Sequence, residues 1–235
     1  MKSSRPSLIL VPGLLCTAAL WRAQVDGLAD LAEISVTAEH SRHTDLGAIA
    51  VSILAAAPER FALAGLSFGG YIAFEIMRRA PHRVERLALL DTSAEADGDE
   101  RRKLRRNYIK QAQTGRFLGV TDRLVSQFVH PERLADGDLI GAVKNMAQDV
   151  GRAGFIRQQT AIIGRPDSRR DLAHIDCPTL VLVGRQDALT PVARHEEIQA
   201  AIPGADLRVI ENCGHLSTME RPDEVNQAMR DWLTL

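Results

Sequence analysis

Short apolar runs of Val, Ile, Leu and Ala alternate along the chain with longer segments whose apolar residues recur every three or four positions. Continuous apolar runs suit strands buried on both faces, and the intervening period suits helices that cover them. The pattern predicts strands at Ser7 to Val11, Glu33 to Ala38, Arg60 to Ala64, Val84 to Leu90, Thr179 to Val183 and Asp206 to Ile210. It predicts helices at Ala18 to Leu31, Leu46 to Ala57, Phe68 to Arg79, Val192 to Ala201 and Pro222 to Leu233. Strands separated by helices pair in parallel, so the expected fold class is α/β: a mostly parallel sheet of about six strands with helices on both faces.

The alternation breaks once. Ala94 to Arg165 holds no convincing strand and begins just after a strand ends at Asp91-Thr92-Ser93. It reads as an inserted helical cap, residues 94–167, on a core made of residues 1–93 and 168–235. The run Arg101-Arg102-Lys103-Leu104-Arg105-Arg106 inside it invites an anion-binding reading, but the acidic run Glu95 to Glu100 just before it favours a solvated helix face.

Composition narrows the classes of function. A chain of 235 residues buries one full-sized core, and 29 basic against 30 acidic residues gives no polyanion-binding surface, so no nucleic-acid partner is expected and function is sought in a pocket. Three cysteines (Cys16, Cys177, Cys213) without metal-site spacing suit a reducing compartment better than a disulfide scaffold. The apolar stretch Leu8 to Val11 is too short for a signal peptide or a membrane span, so the expectation is a cytoplasmic protein without membrane insertion.

The chemistry concentrates at Ser67. The run Phe61-Ala62-Leu63-Ala64-Gly65-Leu66-Ser67-Phe68-Gly69-Gly70 is a strand followed by Gly-x-Ser-x-Gly and then by a helical pattern. A sharp strand-to-helix turn strains the serine backbone and exposes its hydroxyl, and the residues two before and two after must then lack side chains. Gly65 and Gly69 fill those places, and Gly70 lets the helix pass close to its strand. A tight connection whose serine merely caps the helix explains one of the flanking glycines but not both.

A serine hydroxyl at neutral pH needs an imidazole to take its proton and a carboxylate to orient that imidazole. In a parallel sheet such partners come from loops that follow strands, because those loops share one edge. Asp187 follows the strand Thr179 to Val183, and His215 follows the strand ending at Ile210. Asp91 also ends a strand and stands as the competing acid. His174 precedes a strand on the wrong edge; His40 and His43 lie nearer the periphery, with His43 a candidate for the pocket wall. Asp45 reads as the cap of the helix beginning at Leu46. Acyl chemistry also needs two N–H donors for an oxyanion: Phe68 at the helix start, and one in the loop Pro12-Gly13-Leu14-Leu15-Cys16.

The chain order Ser67, Asp187, His215, together with Pro178-Thr179-Leu180-Val181-Leu182-Val183-Gly184-Arg185-Gln186-Asp187 and Asn212-Cys213-Gly214-His215-Leu216 ahead of Arg221-Pro222, resembles the α/β-hydrolase fold superfamily over nearly the whole chain. The resemblance implies a helical cap, a Ser67-His215-Asp187 triad, and Leu14 as the second oxyanion donor with Leu15 as the alternative. The family's frequent His-Gly at that loop is here Pro12-Gly13, and its usual first two strands are missing, which implies a narrower sheet. The chain is similar to small cofactor-free members such as enol-lactonases and meta-cleavage product hydrolases, which implies a small-molecule substrate and neither metal nor organic cofactor.

The implied reaction is hydrolysis of an acyl bond (ester, thioester or lactone) through an acyl-enzyme on Ser67. A serine at the elbow disfavours the fold's haloalkane dehalogenase and epoxide hydrolase chemistries, which use a carboxylate there. Two readings from other classes remain: a non-hydrolytic perhydrolase, acyltransferase or lyase, and a binding module with a triad-like pocket. Tyr108, Phe117, Phe128 and Phe155 are the candidate substrate-binding residues of the cap, or else its own core, while Arg157 and Arg165 read as exposed. Cys16 and Cys213 read as small packing residues near the site.

Overall fold

Each strand offers side chains to both faces of the sheet, and both faces are covered. The computed structural model describes residues 5–115, 117 and 119–235. Its strands are β1 (Ser7–Val11), β2 (Glu33–Val36), β3 (Phe61–Leu66), β4 (Val84–Leu90), β5 (Thr179–Gly184) and β6 (Asp206–Ile210). They form one sheet in the order β2-β1-β3-β4-β5-β6, with every neighbouring pair parallel. The sheet therefore has the expected class and strand number.

The helices are α1 (Arg22–Gly27), α2 (Leu46–Ala56), α3 (Phe68–Arg79), α4 (Asp99–Thr114), α5 (Asp122–Val125), α6 (Gly137–Ile163), α7 (Val192–Ala201), α8 (Ser217–Glu220) and α9 (Pro222–Thr234). Two apolar layers follow from the two-residue period of the strands. Leu8, Leu10, Ala64 and Leu182 pack on one face with Trp21, Leu28, Met229 and Trp232, and Val125, Val143 and Met146 extend that layer. Ile9, Val11, Leu63, Leu89 and Val181 pack on the other face with Ile49, Ile72, Ile76 and Ile198.

One helix is much shorter than its pattern. Instead of Ala18 to Leu31, a 3₁₀ turn capped by Thr17 spans Ala18–Trp21 and α1 ends at Gly27. Leu28 turns into the core, and a Cβ on Gly27 would collide with Asn226 of α9. Asp45 caps α2 as expected, accepting from Ala48 N–H at 2.9 Å.

Residues 94–167 carry α4, α5 and α6 and no strand among the described residues. The two ends of this stretch meet, with Ser168 N–H donating to Ala94 O at 2.9 Å. α6 bends at Gly151, whose φ of 65° interrupts the helix and lets its second half pass over residues 39–41, where Arg157 Nε donates to Ser41 O. Arg101, Lys103 and Arg106 of the basic run are exposed, whereas Arg105 turns inward to Asp97 and Gln159. No helix among the described residues is long and apolar enough to cross a membrane.

Candidate active site

The sheet register brings the serine to the edge where the other groups gather. Leu66 is level with Leu90, and Leu90 with Leu182. The ladder then continues one residue past the strands: Ser67 N–H donates to Leu90 O and Asp91 N–H to Leu182 O, each at 2.9 Å. Ser67 sits between β3 and α3 at φ 57° and ψ −113°, a region that costs a non-glycine residue about 1–3 kcal/mol. A Cβ on Gly65 would strike the Gly69 backbone, and one on Gly69 would strike Val11 O. The space at Gly70 is taken not by its own strand but by the Thr92 side chain after β4, whose hydroxyl donates to Ser67 O at 2.8 Å.

The structure brings Ser67, His215 and Asp187 into one hydrogen-bonded row. Ser67 Oγ–H donates to His215 Nε2 at 2.9 Å, and His215 Nδ1–H donates to Asp187 Oδ2 at 2.8 Å. Asp187 is buried but well supplied: Leu189 N–H and Thr190 N–H donate to Oδ1, and Thr190 Oγ1–H donates to Oδ2 at 2.6 Å. Burial opposes its charge, yet the attraction of the facing His215 ring in its charged form and these donors outweigh it, so its carboxyl stays below the usual range. Burial likewise opposes charging His215, and the Asp187 carboxylate outweighs that, which raises the imidazole above its ordinary 6.5.

Asp91, the competing acid, lies in the same cluster in a different state. Its Oδ1 accepts from Gly184 N–H at 3.0 Å and its Oδ2 from Ser217 N–H and Oγ–H. Complete burial, and then the charge of Asp187, push its pKa well above the carboxylate range. Asp91 thus resists ionisation more than Asp187 does and ties β4 to β5 and to the segment after His215, while Asp187 is the carboxyl that faces the imidazole. His195, buried against the end of β4, is neutral: burial lowers it to about 4, and its Nε2 accepts from Thr92 N–H at 2.8 Å.

Glu220 is a residue that sequence reasoning passed over. Its Oε1 accepts from Gly214 N–H and Leu216 N–H, on either side of His215, and its Oε2 accepts from His130 N–H at 2.7 Å. His215 N–H itself donates to Phe128 O at 2.9 Å. The only sequence signal is an acidic residue one position before Arg221-Pro222, which resembles any helix-start acid.

On the other side of Ser67, Gly13 to Cys16 form a turn closed by Cys16 N–H to Gly13 O at 3.2 Å, with Leu15 at φ 59°. Leu15 N–H donates to Gln158 Oε1 at 3.0 Å, so the alternative oxyanion donor is already engaged. The N–H groups of Leu14 and Phe68 meet no acceptor among the described residues. His40 is buried and neutral, lowered by that burial, and its Nε2–H donates to Cys16 O at 2.9 Å.

Between these two sides lies a cleft walled by Leu14, Val120, Phe128, Val143, Met146 and Leu189, with Ser67 and His215 at its floor. Among the described residues it is lined by no Lys, Arg, Asp or Glu. Of the four aromatic candidates only Phe128 reaches it. Tyr108, on α4, is 37% exposed, and Phe117 and Phe155 pack against each other with their rings tilted by 43° and centroids 5.5 Å apart. His43 pairs with Ser52 instead of lining the cleft. Arg165 departs most from expectation: it is 5% exposed, bonded to Asp97 and lying over the Tyr71 ring at 3.6 Å. Cys16 touches the cleft, but burial pushes its thiol up to about 12, and burial also raises Cys213. No group of three or more metal-ligating side chains occurs among the described residues.

A family model described as the alpha/beta hydrolase family matches residues 8–228. The pimeloyl-[acyl-carrier protein] methyl ester esterase of Vibrio parahaemolyticus is 25% identical over 97% of this chain and 94% of its own length. A thermophilic esterase from Thermogutta terrifontis superposes with a TM-score of 0.87 at 28% identity, covering 97% of this chain and 89% of that one. The enol-lactonase from Burkholderia xenovorans LB400 superposes with a TM-score of 0.89 at 22% identity, covering 99% and 93%.

Proposed function

The chain belongs to the alpha/beta hydrolase family, and from that premise we propose that it is a serine esterase that cleaves neutral esters with an apolar acyl group. The observation that carries this reading is the continuous row Asp187, His215, Ser67, with bonds of 2.8 and 2.9 Å ending on a serine held in a strained turn. His215 Nε2 takes the hydroxyl proton as Ser67 Oγ attacks the carbonyl carbon, and Asp187 stabilises the imidazolium. The unengaged N–H groups of Leu14 and Phe68 receive the developing oxyanion, each such donor being worth about 3–4 kcal/mol. The imidazolium then protonates the departing alkoxide. Water deprotonated by the same nitrogen attacks the acyl-enzyme and releases the acid.

Residues 94–167 act as the cap over this site, joined to the core where Ser168 N–H meets Ala94 O. Cap residues Val120, Phe128, Val143 and Met146 supply the apolar wall, and a free carboxylate in the substrate would lie against it without a cationic partner, at a desolvation cost of several kcal/mol. An ester presented on a larger carrier, as in the name of the Vibrio parahaemolyticus relative, satisfies the same requirement where only its neutral end enters.

The test combines a fluorophosphonate probe with p-nitrophenyl esters of graded acyl length and their ω-carboxylate counterparts. The expected result is stoichiometric labelling, multiple turnovers on the neutral series and at least roughly tenfold lower kcat/KM on the carboxylates. Ser67→Ala should abolish labelling and lower kcat about a million-fold. Turnover that survives Ser67→Ala would overturn the nucleophile, and equal rates on both series would overturn the substrate class.

A further inference from the structure

We infer that Gln158 is a positioning residue that completes the oxyanion hole from the cap; this rests on the esterase reading above. The turn Gly13 to Cys16 places Leu15 at its third position with φ 59°, where a left-handed conformation normally calls for glycine. A leucine stays there only if the surroundings over-determine it. Two neutral groups do so. Gln158 Oε1, on the second half of α6, accepts from Leu15 N–H at 3.0 Å, and His40 Nε2–H donates to Cys16 O at 2.9 Å. The turn is thereby held at its N–H by the cap and at its carbonyl by the core. With Leu15 N–H engaged by Gln158, the preceding N–H, that of Leu14, meets no acceptor among the described residues and is available to an oxyanion.

The burial of Gln158 argues against a merely tolerated polar residue. It is fully buried, and its Nε2 finds no partner among the described residues, a cost that an apolar side chain of the same length would avoid. Its position on α6 follows Phe155 by three residues and precedes Ala161 and Ile162 by three and four, so it interrupts an apolar face. What the amide does there, and a hydrocarbon cannot, is accept the Leu15 proton. Neutrality also matters, because a fixed anion at this point would oppose the charge that develops on the substrate oxygen.

Gln158→Met keeps the length and helix propensity but loses the acceptor. Gln158→Glu keeps an acceptor oxygen, with full burial holding the carboxyl protonated. The readouts are kcat and KM for a neutral p-nitrophenyl ester, the affinity for an alkylboronate whose tetrahedral adduct on serine places an oxygen in the hole, and the thermal midpoint. For Gln158→Met, kcat and boronate affinity should fall together, roughly tenfold to a hundredfold, with KM within about twofold. Gln158→Glu should recover most of that loss. The inference fails if Gln158→Met keeps wild-type kcat and boronate affinity, or if Gln158→Glu loses as much. A boronate that does not inhibit the wild-type enzyme would instead strike at the serine mechanism itself.

Discussion

On one side of Ser67 the histidine loop is tied by buried carboxyls, Glu220 at Gly214 and Leu216 and Asp91 at Ser217, while on the other the turn Gly13 to Cys16 is tied by a neutral amide and a neutral imidazole. The difference follows the charges the reaction would create. A positive charge would grow on the imidazole, beside which acidic groups do no harm; a negative charge would grow at the carbonyl oxygen, so groups without negative charge suit its neighbours. The two sides also differ in redundancy. Glu220 alone receives three N–H bonds, whereas Gln158 and His40 each make one bond to the strained turn.

The sharpest way to break the charged side separates its two aspartates. Asp187→Asn should lower kcat about ten-thousand-fold, because the imidazole loses both its tautomer and its counter-charge. Asp91→Asn changes a carboxyl that makes no bond to the imidazole, and its kcat should stay at least about a hundredfold above that of Asp187→Asn. Steady-state kinetics on one neutral ester decides between them. If Asp91→Asn proves the worse variant, the roles assigned to the two acids are reversed.

A smaller effect is expected at Glu220. Glu220→Gln retains Oε1 for Gly214 and Leu216 but turns an amide N–H toward the His130 N–H, leaving two donors opposed. A loss of about 1–3 kcal/mol in urea unfolding is expected, with roughly a tenfold fall in kcat/KM as the histidine loop loosens. The smallest effect is a shift in the pH profile. Catalysis needs the neutral imidazole, and the raised pKa of His215 means that protonation sets in above pH 6.5 as pH falls. The acidic limb of kcat/KM should therefore have its midpoint above 6.5. In Asp187→Asn it should move down, since burial then acts on the imidazole without the opposing carboxylate.

Much of this architecture was legible residue by residue. β1, β4, β6, α3 and α7 have the predicted bounds, because an apolar run or a helical face is a local property of the chain. The Ser67 elbow was equally local: two glycines at fixed offsets report a backbone that cannot tolerate a Cβ. The meeting of Ser67 with Asp187 and His215 followed from strand-end placement, since a parallel sheet gathers those loops at one edge. The periodicity over-extends α1 because it runs on through Leu28, which is buried in the same apolar layer as Met229 and Trp232 of the distant α9.

What tertiary structure alone decided is which buried face meets which partner. Periodicity put Tyr108, Phe117, Phe128 and Phe155 on equal terms, yet packing sends Tyr108 to solvent, pairs Phe117 with Phe155 and turns only Phe128 to the cleft. Arg165 reads as a surface residue until Asp97 and the Tyr71 ring are seen beside it. The raised pKa of Asp91 and the acceptor role of Gln158 come from groups far apart in sequence that only the assembled core brings together. A sequence carries the periods and turn chemistry that short-range sterics impose. The energies of burial and hydrogen bonding between distant segments depend on distances that exist only after the chain has closed.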